Sequence, residues 1–179
     1  VTEQQQFHYP RLGTYKGQGW DKGSKVKNAL WMIVHGTVFT AWWFPRRLRP
    51  VVLRMFGATI GKGVVIRHRV RVQWPWYLSI GDDSWIGEGS WLYSAGHITI
   101  GSDVCLSQGV FLCAGDHDFK SSDFRPRPGP ITIDDGVWVA AEALVLREVK
   151  IGTGTVIGGR AIVTKDVPPG SVIRLGSVH

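Results

Sequence analysis

The segment FLCAGDHDFK, residues 111–120, sets His117 between Asp116 and Asp118. A neutral imidazole is well suited to take a proton from a weakly acidic group near neutral pH and pass it to a leaving group. A carboxylate or a backbone carbonyl on the second ring nitrogen would fix the tautomer and stabilise the imidazolium. Asp116 and Asp118 are the nearest carboxylates, although adjacent residues in extended chain point apart and the partner can come from elsewhere. Cys113 follows an inward-facing Leu112 and reads as a small packing residue. On spacing alone two readings of His117 stand: a general base at the mouth of a site, or a solvated loop histidine. The chain that holds it decides between them.

That chain is repetitive. From Ile60 onward it divides into six-residue units that begin with an aliphatic residue: Ile60, Ile66, Ile80, Ile86, Ile100, Leu106, Ile133, Val139, Val145, Ile151, Ile157 and Val163. The fifth residue of each is small or β-branched: Val64, Val70, Ser84, Ser90, Val104, Val110, Val137, Ala143, Val149, Thr155, Ala161 and Val167. A period of six matches no helix face, which needs 3.6. It matches a short strand and a corner, with the fifth residue and the next first residue, two apart, facing one interior. Glycine follows the aliphatic residue at positions 61, 81, 87, 101, 152 and 158, which suits a corner. Three units make one coil of a parallel β-helix of triangular section, in which stacked coils bury a continuous aliphatic column.

Coils start at Ile60, Ile80, Ile100, Ile133 and Ile151, so the third carries a long insertion. It opens just after His117, and a loop thrown out from a rigid solenoid is where recognition residues are expected. The organisation expected is a capping extension over residues 1–59, a β-helix over 60–168 with a loop at 118–130, and a tail at 169–179.

The composition, 44% hydrophobic and 20% charged in 179 residues, is that of a globular domain. A net charge of +7 favours an anionic partner. Two cysteines are too few for a disulfide scaffold, so a reducing cytoplasm is the default, and no secretory leader is read at the N-terminus. The apolar run ALWMIVHGTVFTAWWF, residues 29–44, is shorter than the roughly 20 residues that span a bilayer. Three readings of it stand: a helix or hairpin packed on the solenoid, an interfacial segment at the inner face of a membrane, with flanking cations in Lys25, Lys27 and PRRLRP, or a true span.

The repeat resembles that of the hexapeptide-repeat acyltransferases, whose solenoid is a left-handed parallel β-helix. The stretches LRMFGATIGKGVVIR, PWYLSIGDDSWIGEGSWLY, ITIGSDVCLSQGVFLCAGDHDF, PITIDDGVWVAA and VTKDVPPGSV are similar to WcaF-like sugar O-acetyltransferases, over residues 25 to about 172. The resemblance implies an all-β fold with an N-terminal apolar helical segment, acetyl-CoA as donor, a saccharide hydroxyl as acceptor, no metal, and a homotrimer with sites between subunits. It implies His117 as the base, with Asp116 and Asp118 beside it. It implies Trp138, Ala140, Ala141, Gly159, Arg160, Ala161, Thr164 and Lys165 as the donor groove, and Tyr93, Ser94, Phe124 and Arg125 as acceptor contacts. The chain departs from that pattern at Tyr93-Ser94, at LREVK (146–150) and at GSVIRLGSVH (170–179).

Other classes fit less well. The same scaffold serves acetylation of amino sugars, amino acids or antibiotics, and these share base and donor groove. A zinc hydratase on a similar solenoid needs three converging histidines, two of them close in sequence, whereas His97 and His117 are 20 apart. A non-catalytic scaffold is the remaining alternative; His8, His35, His68 and His97 read as surface or packing residues, and no nucleic-acid partner is indicated.

Overall fold

An inward aliphatic residue and a small fifth residue commit each unit to a short strand and a corner, and a computed structural model of the protein has this arrangement throughout. The structure describes residues 12–15 and 19–174; His8 and the end of the expected tail lie outside the described residues. Three parallel sheets wall a triangular prism. Face A consists of Thr59–Ile60, Leu78–Ile80, Ile98–Ile100, Ile131–Ile133 and Val149–Ile151. Face B consists of Val65–Ile66, Trp85–Ile86, Cys105–Leu106, Trp138–Val139, Val156–Ile157 and Val172–Ile173. Face C consists of Arg71–Val72, Trp91–Tyr93, Phe111–Cys113, Leu144–Leu146 and Ile162–Val163.

Coil stacks on coil in register, so that Ile60, Ile80, Ile100, Ile133 and Ile151 form one column inside face A. Every unit start and every fifth residue of the repeat is buried. The hydroxyl groups among them are paired: Ser84 Oγ donates to Gly101 O (2.8 Å), Ser90 Oγ to Ser107 O (3.0 Å) and Thr155 Oγ1 to Pro168 O (3.0 Å). Each bond joins two coils and leaves no orphaned polar group in the column. The glycines that open the corners answer to crowding: a Cβ on Gly81 would lie 2.5 Å from the carbonyl carbon of Gly101 in the next coil.

The stack runs past residue 168. Val167, the fifth residue of its unit, takes the place of a unit start opposite Ile151, and Ile173 follows opposite Ile157. A shortened corner after Val163 brings Val167 back to face A two residues early, and a sixth coil begins there.

The N-terminal end is covered by helix α1 (Lys25–Val34), a π-helical turn (His35–Phe39) and helix α2 (Arg49–Met55). Trp31, Phe39 and Leu53 bury their side chains in the same core as the coils. Trp31 Nε1 donates to Val72 O and Gln73 O (3.1 Å each), and His35 Nε2 accepts the Val72 N–H (3.2 Å), which occupies part of the open edge of face C. Burial, with Arg71 nearby, pushes the His35 pKa down, so the ring is held neutral as an acceptor. Arg49 is buried and donates to Phe39 O (3.0 Å) and Ala41 O (2.6 Å), closing the end of the π-turn. Among the described residues, no helix is long and apolar enough to cross a membrane.

Candidate active site

The insertion folds as an antiparallel hairpin, with strands Gly115–His117 and Pro126–Pro128 and a tip at 118–125, so it begins earlier than the loop expected at 118–130. The tip turns back at Phe124, whose φ of 48° lies in the left-handed region. That turn points the Phe124 carbonyl at His117 Nδ1 (2.7 Å) and stacks the Phe124 ring on the imidazole, centroids 4.3 Å apart and planes 4° apart. A carbonyl only accepts, so Nδ1 carries the hydrogen and the lone pair of the neutral ring sits on Nε2. Among the described residues, Nε2 has no hydrogen-bond partner.

Neither flanking carboxylate holds the ring. Asp116 points to the other side of its strand, onto Arg147 (Nε to Oδ2, 2.8 Å) and Arg127 (3.9 Å). The Arg147 contact is an ion pair whose N–H is poorly aligned, and Asp116 holds the Arg147 pKa up. Asp118 accepts the Lys120 N–H (3.1 Å) and lies 3.5 Å from Arg125, which fastens the tip. The orienting group is a backbone carbonyl seven residues on.

The N-terminal extension crosses over this hairpin. Trp20 sets its ring edge-on to His117 (5.6 Å) and also meets Tyr93 and Trp74 (6.3 Å each), and Tyr15 is edge-on to His117 from another side (5.6 Å). Gly115 permits the crossing: a Cβ there would stand 2.9 Å from Trp20. The Asp21 carboxylate on the strap lies near the Tyr77 hydroxyl of the first coil; burial first, then that carboxylate, raises the Tyr77 pKa to about 12. His117 therefore stands among Tyr15, Trp20 and Phe124. Nothing local in YKGQGW marks a segment that returns about a hundred residues later, and sequence reasoning missed both rings.

Of the expected acceptor contacts, Tyr93 and Phe124 lie in this aromatic cluster and Arg125 is at its exposed rim. Ser94 is not available. It is fully buried, and its hydroxyl takes the Trp74 N–H and donates to Trp74 O (2.9 Å each), stitching two coils. Cys113 is half-buried, its thiol directed at Gly115 O (3.2 Å), and burial pushes its pKa up, which makes it a poor nucleophile.

The expected donor residues divide between two edges of the prism. Ala140, Ala141, Gly159 and Arg160 form corners between faces B and C, and Trp138 lies outward on face B with Nε1 donating to Ser107 Oγ (3.0 Å). Thr164 and Lys165 lie on the edge between faces C and A, in a cleft of about 540 Å³ shared with Asp116, Leu146, Arg147, Glu148 and Asp166. Arg160 pairs with Glu142 (2.5 Å). Ala161 is buried, so it can offer only its backbone. Small corner residues leave the backbone open to an extended, amide-rich ligand, and exposed Lys165 suits a phosphate. Among the described residues no group of His, Cys, Asp and Glu could hold a metal ion.

This fold and sequence recur in known proteins. The chain is 42% identical over 160 residues to WcaF of Escherichia coli K12, an acetyltransferase assigned to colanic acid biosynthesis, covering 88% of this chain and 87% of that protein. It is 27% identical over 127 residues to the galactoside O-acetyltransferase of the same organism, covering 69% and 63% of the two chains. In fold it matches a hexapeptide-repeat acetyltransferase of Vibrio cholerae solved with acetyl-CoA (TM-score 0.80, 19% identity, 93% of each chain). It also matches a maltose O-acetyltransferase of Clostridium difficile (TM-score 0.78, 20% identity, 92% and 91% of the chains). No family model matches the chain. The fold and the relatives define the class: a left-handed β-helix acyltransferase. Within that class, the chain belongs to the hexapeptide-repeat acetyltransferases of the WcaF type.

Proposed function

We propose that the protein transfers the acetyl group of acetyl-CoA to a hydroxyl of a saccharide destined for a cell-surface polysaccharide, with His117 as general base. The observation that carries this reading is the 2.7 Å bond from His117 Nδ1 to Phe124 O, which leaves Nε2 as the proton acceptor inside a cluster of aromatic rings. Nε2 takes the proton of the acceptor hydroxyl as its oxygen bonds to the acetyl carbonyl carbon. The tetrahedral centre collapses, its carbon–sulfur bond breaks, and the imidazolium returns the proton to the departing thiolate. A backbone N–H from a coil corner supplies the hydrogen bond to the oxyanion. Faces of Tyr93, Trp20 and Phe124 suit a pyranose ring, and the sugar-acetylating relatives support a saccharide acceptor.

The donor site is completed by a second protomer. Arg160 and Thr164 are separated by about four residues of extended chain, ~13 Å, so the two sets of donor residues form no single pocket in one prism. The outer side of face A is polar (Thr59, Ser79, Thr99, Thr132 and Lys150), whereas face B turns out Val65, Trp85, Trp138, Val156 and Val172. Face C turns out Trp91, Phe111, Leu144 and Ile162. One polar and two apolar outer faces suit a closed ring of three in which unlike faces meet.

The test is calorimetry with acetyl-CoA on the wild type and His117→Ala, followed by thioester release with a panel of sugars. Donor binding by both and turnover by the wild type alone is the expected result. A wild type that does not bind acetyl-CoA would return the chain to a scaffold role.

A further inference from the structure

The charges of this chain are segregated. From Lys22 to Gly81 it holds eleven Lys and Arg and not one Asp or Glu; the remainder holds ten cations against fourteen carboxylates. The whole positive excess therefore sits on the helical cap and the first coil. Lys22, Lys25, Arg46, Arg47, Lys62 and Arg67 are exposed there, and among the described residues none pairs with a carboxylate.

The same cap leaves apolar surface uncovered. Val26, Ala29, Leu30 and Ile33 fall on one side of α1, opposite buried Trp31, and all are exposed. Trp42 is 79% exposed, Trp43 56% and Met55, on α2, 77%. Both helices sit on the first coil, α1 through Trp31 and Val72 and α2 against Thr59–Ile60, so these side chains share one end of the prism. An apolar face with exposed tryptophans and a rim of unpaired cations matches an anionic lipid bilayer, whose surface draws cations and whose interface receives aromatic rings.

We propose that this end of the prism docks on an anionic lipid surface. His117 belongs to the third coil, two strand spacings or ~10 Å from the capped one. A saccharide carried on a lipid would reach it; that consequence rests on the acetyl-transfer reading, whereas the docking does not.

The test is co-sedimentation of the full chain with vesicles of neutral phosphatidylcholine, or of phosphatidylcholine with 30% phosphatidylglycerol, read without turnover. Binding to the anionic vesicles alone, weakened by 0.5 M salt, is expected. Lys25→Glu/Arg47→Glu should weaken it about fivefold per cation removed, and Trp42→Ser/Trp43→Ser at least as much, with unchanged thermal unfolding and unchanged acetylation of a soluble acceptor. Equal binding to neutral vesicles, or none to either, overturns the proposal. So does an assembly larger than the wild-type ring that Trp42→Ser/Trp43→Ser breaks up, since a second copy would then cover this face.

Discussion

Along the edge between faces B and C every corner has the same build. Each is closed by a residue in the left-handed region: Arg69, Gly89, Gly109, Glu142 and Arg160, with φ between 58° and 71°. Along the edge between faces C and A no two corners have the same length. They comprise residues 73–77, 94–97, 114–130, 147–148 and 164–166. The first edge is copied from coil to coil because stacked backbones crowd it. The second is free to vary, and it carries His117, Phe124, Thr164 and Lys165. The solenoid thus has one edge of fixed build and one of varied build, and the proposed base lies on the varied one.

The sharpest way to break this comparison is to ask whether the varied edge can lose its function without losing the fold. His117→Ala should lower kcat by about 10²- to 10⁴-fold, the range of a lost general base. The unfolding midpoint should stay within a few degrees, because the ring packs on a hairpin tip and not in the column. Turnover within tenfold of wild type would remove His117 from the chemistry.

The converse holds in the column. Ile133 is buried between Ile100 and Ile151, and Ile133→Ala should cost about 2–5 kcal/mol, read by denaturant unfolding, with kcat of the folded fraction unchanged. A loss below 1 kcal/mol would mean that the coils collapse around the gap and that the column is not the source of register.

Trp20→Ala sharpens the assignment of the strap. Stacking of this kind contributes about 0.5–1.5 kcal/mol, so the acceptor KM should rise roughly three- to tenfold while acetyl-CoA affinity is unchanged. A fall in donor affinity instead would place the strap on the other half of the site.

These regions also differ in how far they can be read from the sequence. The column is local: the inward residues of the twelve units are set by their places in the count, whereas Val72, Leu92 and Ile173, also buried, fall outside it. The left-handed fourth residue escapes the same count, because Arg69, Asp83, Asp103, Glu142 and Arg160 stand there as well as glycine. His117 is found by its motif, but its orienting group is a carbonyl, which any residue supplies, and no side-chain pattern points to it. Ser94 misleads because the corner after Tyr93 turns its hydroxyl inward, onto Trp74. Tyr15 and Trp20 reach His117 through tertiary contact alone.

The cap offers a pH test. The His35 pKa is lowered from its ordinary 6.5 by burial and then by Arg71. As pH falls below the ordinary range, the unfolded chain binds a proton that the folded one refuses, so stability is full above that range and declines through it toward the lowered value. Between pH 7.5 and 5 the wild type should lose more of its melting temperature than His35→Gln, which keeps an acceptor for the Val72 N–H. Equal losses would assign the acid sensitivity to other groups.

The smallest effect belongs to the third edge, between faces A and B, whose corners are likewise closed by left-handed residues: Gly63, Asp83, Asp103, Gly136, Gly154 and Gly170. Asp103, exposed and at φ 55°, closes a corner between faces A and B where neighbouring coils use Asp83 and Gly136. A left-handed conformation costs an L-residue about 1–2 kcal/mol, while glycine brings back roughly 0.5–1 kcal/mol of backbone entropy to the unfolded chain. Asp103→Gly should therefore change stability by less than about 1 kcal/mol, in the stabilising direction, and Asp103→Val, β-branched, should cost about 1–2 kcal/mol. The two substitutions would bracket the wild type in chemical denaturation. If glycine costs as much as valine, stacking does not impose the left-handed turn, and this corner owes its shape to the aspartate side chain instead.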